Sequence, residues 1–326
     1  MRGLASYIVG RLLWAPVILL AVSLATFALG RFGPGDPIRI LQGQYRDPEQ
    51  QERIAEELGY HDNFFVQYWR YMERAVQGDF GEGLSPRGFQ VNDVLFPRLW
   101  VTFQYNLLAL IIIFAVGIPA GIWAALKQGT WMDPFTIGML LFPASVPVLV
   151  IIPVLQWLFA VQLGWLPSGG WQVHEFYGVE IGILNIHIVL PMLALTLPGS
   201  AGVARYMRTQ VLQVLDDDYV RTARAKGLRE FTVVSRHIAR NAMLPLATIM
   251  GFALVGLLGG SIFLETLLGI PGVGEYAFNA VFARDYNAIM AIVLLTSTAF
   301  ILANLVVDIT YGFIDPRIRL GGGMQG

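Results

Sequence analysis

DYVRTARAKGLREFTVVSRHIARNAMLP, Asp218–Pro245, lies between two long apolar runs and is itself basic and helix-prone. Asp216, Asp217 and Asp218 stand where a helix would begin, the end at which its dipole favours negative charge. Arg224 and Lys226 stand at the end that favours positive charge. Gly227 fits the position just past the last turn, where a residue at ease with positive φ reverses the chain. A second helix is predicted from about Glu230 to Asn241, and Leu244-Pro245 opens the next apolar run. Tyr219, Thr222, Ala223 and Lys226 fall at i, i+3, i+4 and i+7 and share a face with a small centre that a neighbouring surface can approach. The charge alone fits an ordinary solvated loop. Two capped helices around one glycine predict a folded element with something to dock on it.

The rest of the chain says where that element sits. Of its 326 residues, 55% are hydrophobic and 14% charged, against about 25% charged in soluble domains. A spanning helix needs about 20 mostly apolar residues. Six segments qualify, at 12–30, 101–126, 135–162, 183–204, 243–264 and 287–313. The first follows Arg2 and Arg11 like a signal peptide, but it is longer than such an apolar core and no clean cleavage site follows it. It is expected to remain as a true span. Net charge of −1 argues against bulk nucleic-acid binding. With no cysteine there are no disulfides or thiolate metal sites.

Lys and Arg in short loops set the orientation. Lys127 lies in the 127–133 loop, and Arg205, Arg208, Arg221, Arg224, Lys226, Arg229, Arg236 and Arg240 lie in the 205–241 loop. The 163–182 loop has neither residue type, and the 265–286 loop has only Arg284. Both termini are therefore expected in the cytoplasm. The chain reads as residues 1–30 (N-terminus and first span), an external helical cap at 31–100, a five-helix core at 101–313 and a tail at 314–326.

In the cap, Asp47-Pro48-Glu49-Gln50 starts one helix and Gly59 stops it. A second runs from Phe64 to Val76, with an apolar, aromatic face, and ends before Gly78-Asp79-Phe80-Gly81. The cap packs on the membrane part, touches an external partner, or does both. Pro119, Pro143, Pro147, Pro153, Pro191 and Pro198 permit kinks in the spans. Gly117/Gly121 and Gly256/Gly260 have the spacing for close helix approach, within the chain or between subunits.

Catalytic chemistry is not visible. His61, His174, His187 and His237 have no metal-ligand spacing, and no nucleophile elbow occurs. A phosphate-binding loop needs Gly-Lys, whereas Lys127 follows Leu126 and Lys226 follows Ala225. If ATP drives this protein, another polypeptide hydrolyses it. Ionisable groups in spans mark function by default. Asp308, a turn from the end of the last span, either pairs or snorkels at the interface, or gates a pathway. His187 reads as a hydrogen-bonded packing residue. Glu265 heads a tight outer turn, Leu268-Gly269-Ile270-Pro271-Gly272-Val273-Gly274, and either lines a route or fixes the turn. So few intramembrane carboxylates make a proton-coupled carrier a poor reading, and no catalytic pair supports a membrane enzyme.

In these residues the chain resembles the EAA loop of ABC-transporter membrane subunits, more narrowly the first permease subunit of the dipeptide/oligopeptide/nickel import family. The resemblance spans nearly the whole length, through Pro34-Gly35-Asp36-Pro37, Gly78-Asp79-Phe80-Gly81, Leu166-Pro167-Ser168-Gly169-Gly170, Asp218–Leu228, Leu258-Gly259-Gly260-Ser261, Arg284-Asp285-Tyr286 and Asp315-Pro316-Arg317. It implies an all-α membrane protein with six transmembrane helices, the type I ABC importer permease fold. Asp218, Tyr219, Thr222, Ala223, Arg224, Ala225, Lys226, Gly227 and Leu228 would form the coupling helix that fits a groove on an ATPase. Ala223 and Gly227 take the motif's small positions, while Thr222-Ala223-Arg224-Ala225 replaces its usual Glu start. The implied partners are a second permease subunit, two ATPases that carry ATP and Mg²⁺, and an external substrate-binding protein. This chain would hold no cofactor, and the location is the inner membrane. The cargo would be a dipeptide or oligopeptide, with nickel, glutathione or an oligosaccharide as alternatives.

Overall fold

The structure, a computed structural model, describes residues 2–32, 53, 61–83 and 89–314. The predicted helix at 47–59, the Pro34–Pro37 motif and the Asp315–Arg317 motif lie outside the described residues, as does the side chain of Asp308. Among the described residues four helices are long and apolar enough to cross a membrane: Leu12–Phe32 within α1 (Arg2–Phe32), α3 (Val91–Leu126), Ile186–Leu215, which contains α6 (Val189–Leu215), and Tyr286–Val307 within α12 (Tyr286–Ile314). Two bent pairs bring the number to as many as six when each pair counts as one span.

The largest bend falls among the prolines that permit kinks in the third span. The third span is not one rod: α4 (Met132–Ala144) and the helical run Val148–Gln162, which opens with α5 (Val148–Leu155), meet at 96°. Thirteen residues extend only about 20 Å, short of a hydrocarbon core of about 30 Å. Pro147 caps α5 in extended conformation, and Pro143 sits in the last turn of α4. Proline disfavours helix at the residue before it, so the chain breaks there. The fifth span is displaced. The helical run α8 (Glu230–Ala242) bends by 41° into Leu244–Leu258, which begins with α9 (Leu244–Val255) and stops before Gly259-Gly260. Ile262–Leu268 is a separate helix, α10, followed by α11 (Val273–Ala283).

The described chain divides into two compact units. The first comprises residues 1–102, 258–262 and 271–326; the second comprises 103–257 and 263–270.

In the first unit α1 packs along α12. A Cβ at Gly30 would stand 3.4 Å from the Tyr286 Cβ, an ordinary contact distance, so Gly30 lies directly against α12. Helix α2 (Phe64–Val76) is capped by Asn63, whose side chain accepts from the Phe65 N–H at 2.9 Å. Its positions 64, 68, 71 and 75 recur at helical spacing and pack with Phe27, Leu95, Val273 and Met290 into one core. The Gly78–Gly81 motif ends this helix: Gly78 and Gly81 take φ of 80° and 77°, and the Asp79 carboxylate accepts from the Gly81 N–H. The Arg284-Asp285-Tyr286 motif joins two helices. Arg284 closes α11 in left-handed conformation, and Asp285, buried, accepts from the Ala288 N–H as α12 begins. Arg98 pairs with Glu275 and lies 5.1 Å over the Tyr276 ring. Burial pushes the Tyr276 hydroxyl up to about 12, with Asp285 adding to the shift.

The Tyr71 hydroxyl is buried in this core and, among the described residues, has no hydrogen-bond partner. An unsatisfied buried polar group costs about 1–3 kcal/mol. Tyr71→Phe is therefore expected to raise the thermal midpoint of the detergent-solubilised protein, and an unchanged or lower midpoint would contradict the orphan hydroxyl.

In the second unit α3 and α6 meet at the first glycine pair. A Cβ at Gly117 would lie 2.7 Å from the Val203 Cβ, and one at Gly121 2.4 Å from the Ala204 carbonyl oxygen. This pair serves packing within the chain. At Gly256, by contrast, none of the described residues lies within 4 Å of such a Cβ. An antiparallel hairpin, β1 (His174–Phe176) and β2 (Val179–Ile181), interrupts the expected all-helical pattern. Its turn residues Tyr177 and Gly178 both have positive φ, as a two-residue hairpin turn of this hand requires. Gln104 holds the hairpin to α3, donating to the Glu180 carbonyl at 3.1 Å and accepting from the Gly182 N–H at 3.0 Å.

Candidate functional site

The basic stretch folds as a short helix, α7 (Asp218–Ala225), followed by a reversal and then α8. Gly227 has φ of 73°. The Gly227 N–H donates to the Arg224 carbonyl at 2.9 Å, and the Leu228 N–H to the Ala223 carbonyl at 3.4 Å. These two bonds are the Schellman arrangement, which satisfies carbonyls the helix end leaves open. Arg224 then spans the reversal, donating from Nη2 to Glu230 at 2.8 Å. That bond holds the guanidinium above its ordinary range.

Beneath α7 lies a single apolar cluster. Val220 and Ala223 are buried against Val233, Ile238 and Ala242 of α8, Met207 and Val211 of α6, and Phe114 and Ala125 of α3. The face predicted to be approachable from outside is therefore divided. Ala223, only 4% exposed, points into the protein, while Tyr219, Thr222 and Lys226 stay on the surface. Asp218, Arg224, Ala225, Gly227 and Leu228 are also exposed. Burial raises the Tyr219 hydroxyl above its usual range, and a hydrogen bond to Asn241 acts in the opposite direction.

Two features here are not legible in the sequence. Residues Val233–Ala239 of α8 are π-helical. The wider turn brings Val233 and Ile238, five residues apart, to the same buried face. Phe231, just before the π-helical stretch, is 82% exposed. The second feature is a brace: Arg208 of α6 donates from Nε and Nη2 to the two carboxylate oxygens of Asp133, each at 2.6 Å. The forked pair ties the start of α4 to α6 below the cluster. Asp133 is buried.

The other candidates lie elsewhere. Glu265, fully buried, accepts from the Tyr105 hydroxyl at 2.5 Å, and its carbonyl accepts from the Ile270 N–H at 2.9 Å. The backbone bond closes the turn after α10, and the side-chain bond ties α10 to Tyr105 of α3. Gly269 takes φ of 63°, and the Leu268 carbonyl accepts from the Gly170 N–H at 2.6 Å. A Cβ at Gly169 would lie 2.4 Å from that same oxygen, which explains the paired glycines of the Leu166–Gly170 motif. The His187 Nδ1–H donates to the Gly169 carbonyl at 2.7 Å, as a packing histidine does. Asp308 sits in α12.

Helix α7 is thus short, seated on the cluster through Val220 and Ala223, and exposed at its other residues. Residues 117–320 match the model of the binding-protein-dependent transport system inner membrane component, and residues 4–86 match its N-terminal companion. The chain belongs to this permease family. A dipeptide transport system permease protein of Alkalihalophilus pseudofirmus is 33% identical, over 96% of this chain and 99% of its own length. A glutathione transport system permease protein of Escherichia coli strain K12 is 37% identical over the same shares. The inward-facing MetNI methionine ABC transporter has the same fold, with a TM-score of 0.53, 17% identity, and coverage of 68% of this chain and 96% of that one. This permease is a multi-pass membrane subunit of an ABC importer and not an enzyme; hydrolysis belongs to separate ATPase subunits, and a substrate-binding protein is a further partner.

Proposed function

We propose that this permease forms half of the translocation pathway of an ATP-driven importer of short peptides, beside a second, homologous permease subunit. Two ATPase subunits hold ATP and Mg²⁺; this chain holds neither. Both termini lie in the cytoplasm, as the arginine-rich 205–241 loop supports. Helix α7 is the coupling helix. The observation that carries this reading is α7 itself, a short helix closed by the Gly227 reversal and seated on the apolar cluster, with Tyr219, Leu228 and Phe231 exposed.

The mechanism follows from the mount. Closure of the ATPases displaces α7. Because the cluster under it is close-packed, the displacement passes to α3 and α6 as movement of a rigid body. Outward- and inward-open states are then biased from both ends, by nucleotide below and cargo above, so the coupling is reciprocal. Glu265, buried, secures the outer turn during the switch, and Asp308 is the remaining candidate for gating in the last span.

Phe231→Asp is expected to cut co-purification of the ATPase subunits severalfold while membrane insertion stays unchanged. Undiminished association would sink the docking assignment. Peptide cargo is supported by the dipeptide and glutathione relatives, since glutathione is itself a small peptide. Proteoliposomes holding the full transporter and its binding protein should take up a labelled dipeptide or glutathione. Uptake of nickel or an oligosaccharide alone would refute peptide cargo and leave the coupling role intact.

A further inference from the structure

Helix α2 presents three distinct faces. Phe64, Tyr68, Tyr71 and Ala75 enter the core of the first unit. Phe65, Trp69 and Val76 form a second strip and are 68%, 71% and 82% exposed. Gln67, Arg70, Glu73 and Arg74 make a polar strip roughly a third of a turn further round. Arg70 pairs there with Asp62 at 2.5 Å.

The depth of the helix is fixed by α1. The Tyr68 hydroxyl bonds Ser23 Oγ at 2.7 Å and the Leu20 carbonyl at 3.4 Å. Leu20 lies about 18 Å along the helix axis from Phe32, at 1.5 Å per residue. Even after the reach of a tyrosine side chain, α2 runs beside the apolar length of α1 rather than above its end. Its exposed strip also continues the exposed face of α1. Phe32 stacks on Phe64 with ring centroids 5.5 Å apart, and Phe64 meets Phe65 edge-on at 5.4 Å. Leu29 and Phe32 are themselves exposed.

We infer that α2 is seated in the bilayer leaflet at the Phe32 end of α1, with Phe65, Trp69 and Val76 against lipid and the polar strip toward water. The occupant of the exposed strip is acyl chain and headgroup boundary. Aromatic residues concentrate at that level, and division into an apolar and a charged face is what an interfacial helix needs. The inference rests on α1 as a span and not on the coupling role; on the orientation proposed above, the leaflet is the outer one. Part of the 31–100 region is thus a membrane anchor, which keeps α1 from tilting away from α12.

Because the chain has no cysteine, single labels are clean. Phe65→Cys, Trp69→Cys and Glu73→Cys, each carrying a nitroxide in the full transporter in proteoliposomes, would be compared for collisions with oxygen and with a water-soluble nickel chelate. Leu29→Cys serves as the control for the span itself. Oxygen collisions exceeding chelate collisions severalfold at positions 65, 69 and 29, with the reverse at 73, are the expected result. Chelate-dominated collisions at 65 and 69 while 29 remains lipid-facing would overturn the placement of α2 alone. Chelate-dominated collisions at 29 as well would overturn the span on which it rests. Low access to both reagents at 65 and 69 would mean that protein covers the strip, and would overturn the lipid assignment.

Discussion

Gly227→Val is expected to abolish uptake while leaving the permease inserted in the membrane. The site offers open space among the described residues, none of which lies within 4 Å of a Cβ built there. The penalty is therefore one of backbone alone. At φ of 73° an L-residue is strained by roughly 1–2 kcal/mol, and a β-branched one by more. The strain is relieved by undoing the reversal, which breaks the bonds from Gly227 and Leu228 to the end of α7. The helix would then lose its fixed direction relative to the cluster beneath it, and a push from the ATPase would be absorbed locally. Asparagine visits this conformation readily, so Gly227→Asn should retain most transport. ATP-driven uptake and nucleotide hydrolysis, measured together, separate the cases: valine should leave hydrolysis running without cargo-linked stimulation. Wild-type uptake by the valine variant would contradict the coupling role of α7.

Asp133→Leu should be the most destabilising single change in the second unit. It leaves the Arg208 guanidinium without the carboxylate that both of its donors reach. Removing one member of a buried pair costs about 3–5 kcal/mol; Arg208 keeps 28% side-chain exposure, so the low end of that range is expected. The double variant Asp133→Leu/Arg208→Met removes both charges and should recover most of the loss. The measurement is the fraction of monodisperse protein left after heating in detergent. If the double variant were as unstable as the single, the pair would matter for its shape rather than for its charge. Because the brace joins the start of α4 to α6, the single variant should also reduce coupling at temperatures where it remains folded.

The ends of α7 were legible because capping is a local matter. Three acids at one end, with two bases and one glycine at the other, mark out where the helix starts and how it stops. The Gly117/Gly121 pair and the packing role of His187 were likewise open to reading from residue type and position. The motif from Leu166 to Gly170 could be recognised but not explained until the carbonyl of Leu268 was found against it. The inward turn of Ala223 was misjudged, because a small residue invites a neighbour from either side and only the cluster decides which.

What the chain's order alone determined is the set of apolar lengths, their punctuation by proline and glycine, and the charge that separates one side of the membrane from the other. These depend on residues within a few positions of one another and on the solvent each would tolerate. Tertiary structure decided the π-helical register that buries Val233 with Ile238, and the seating of α2 beside α1. It also decided the meetings of Tyr105 with Glu265 and of Arg208 with Asp133. Each of these depends on which distant segment fills the adjoining space, and hydrophobic periodicity carries no record of that.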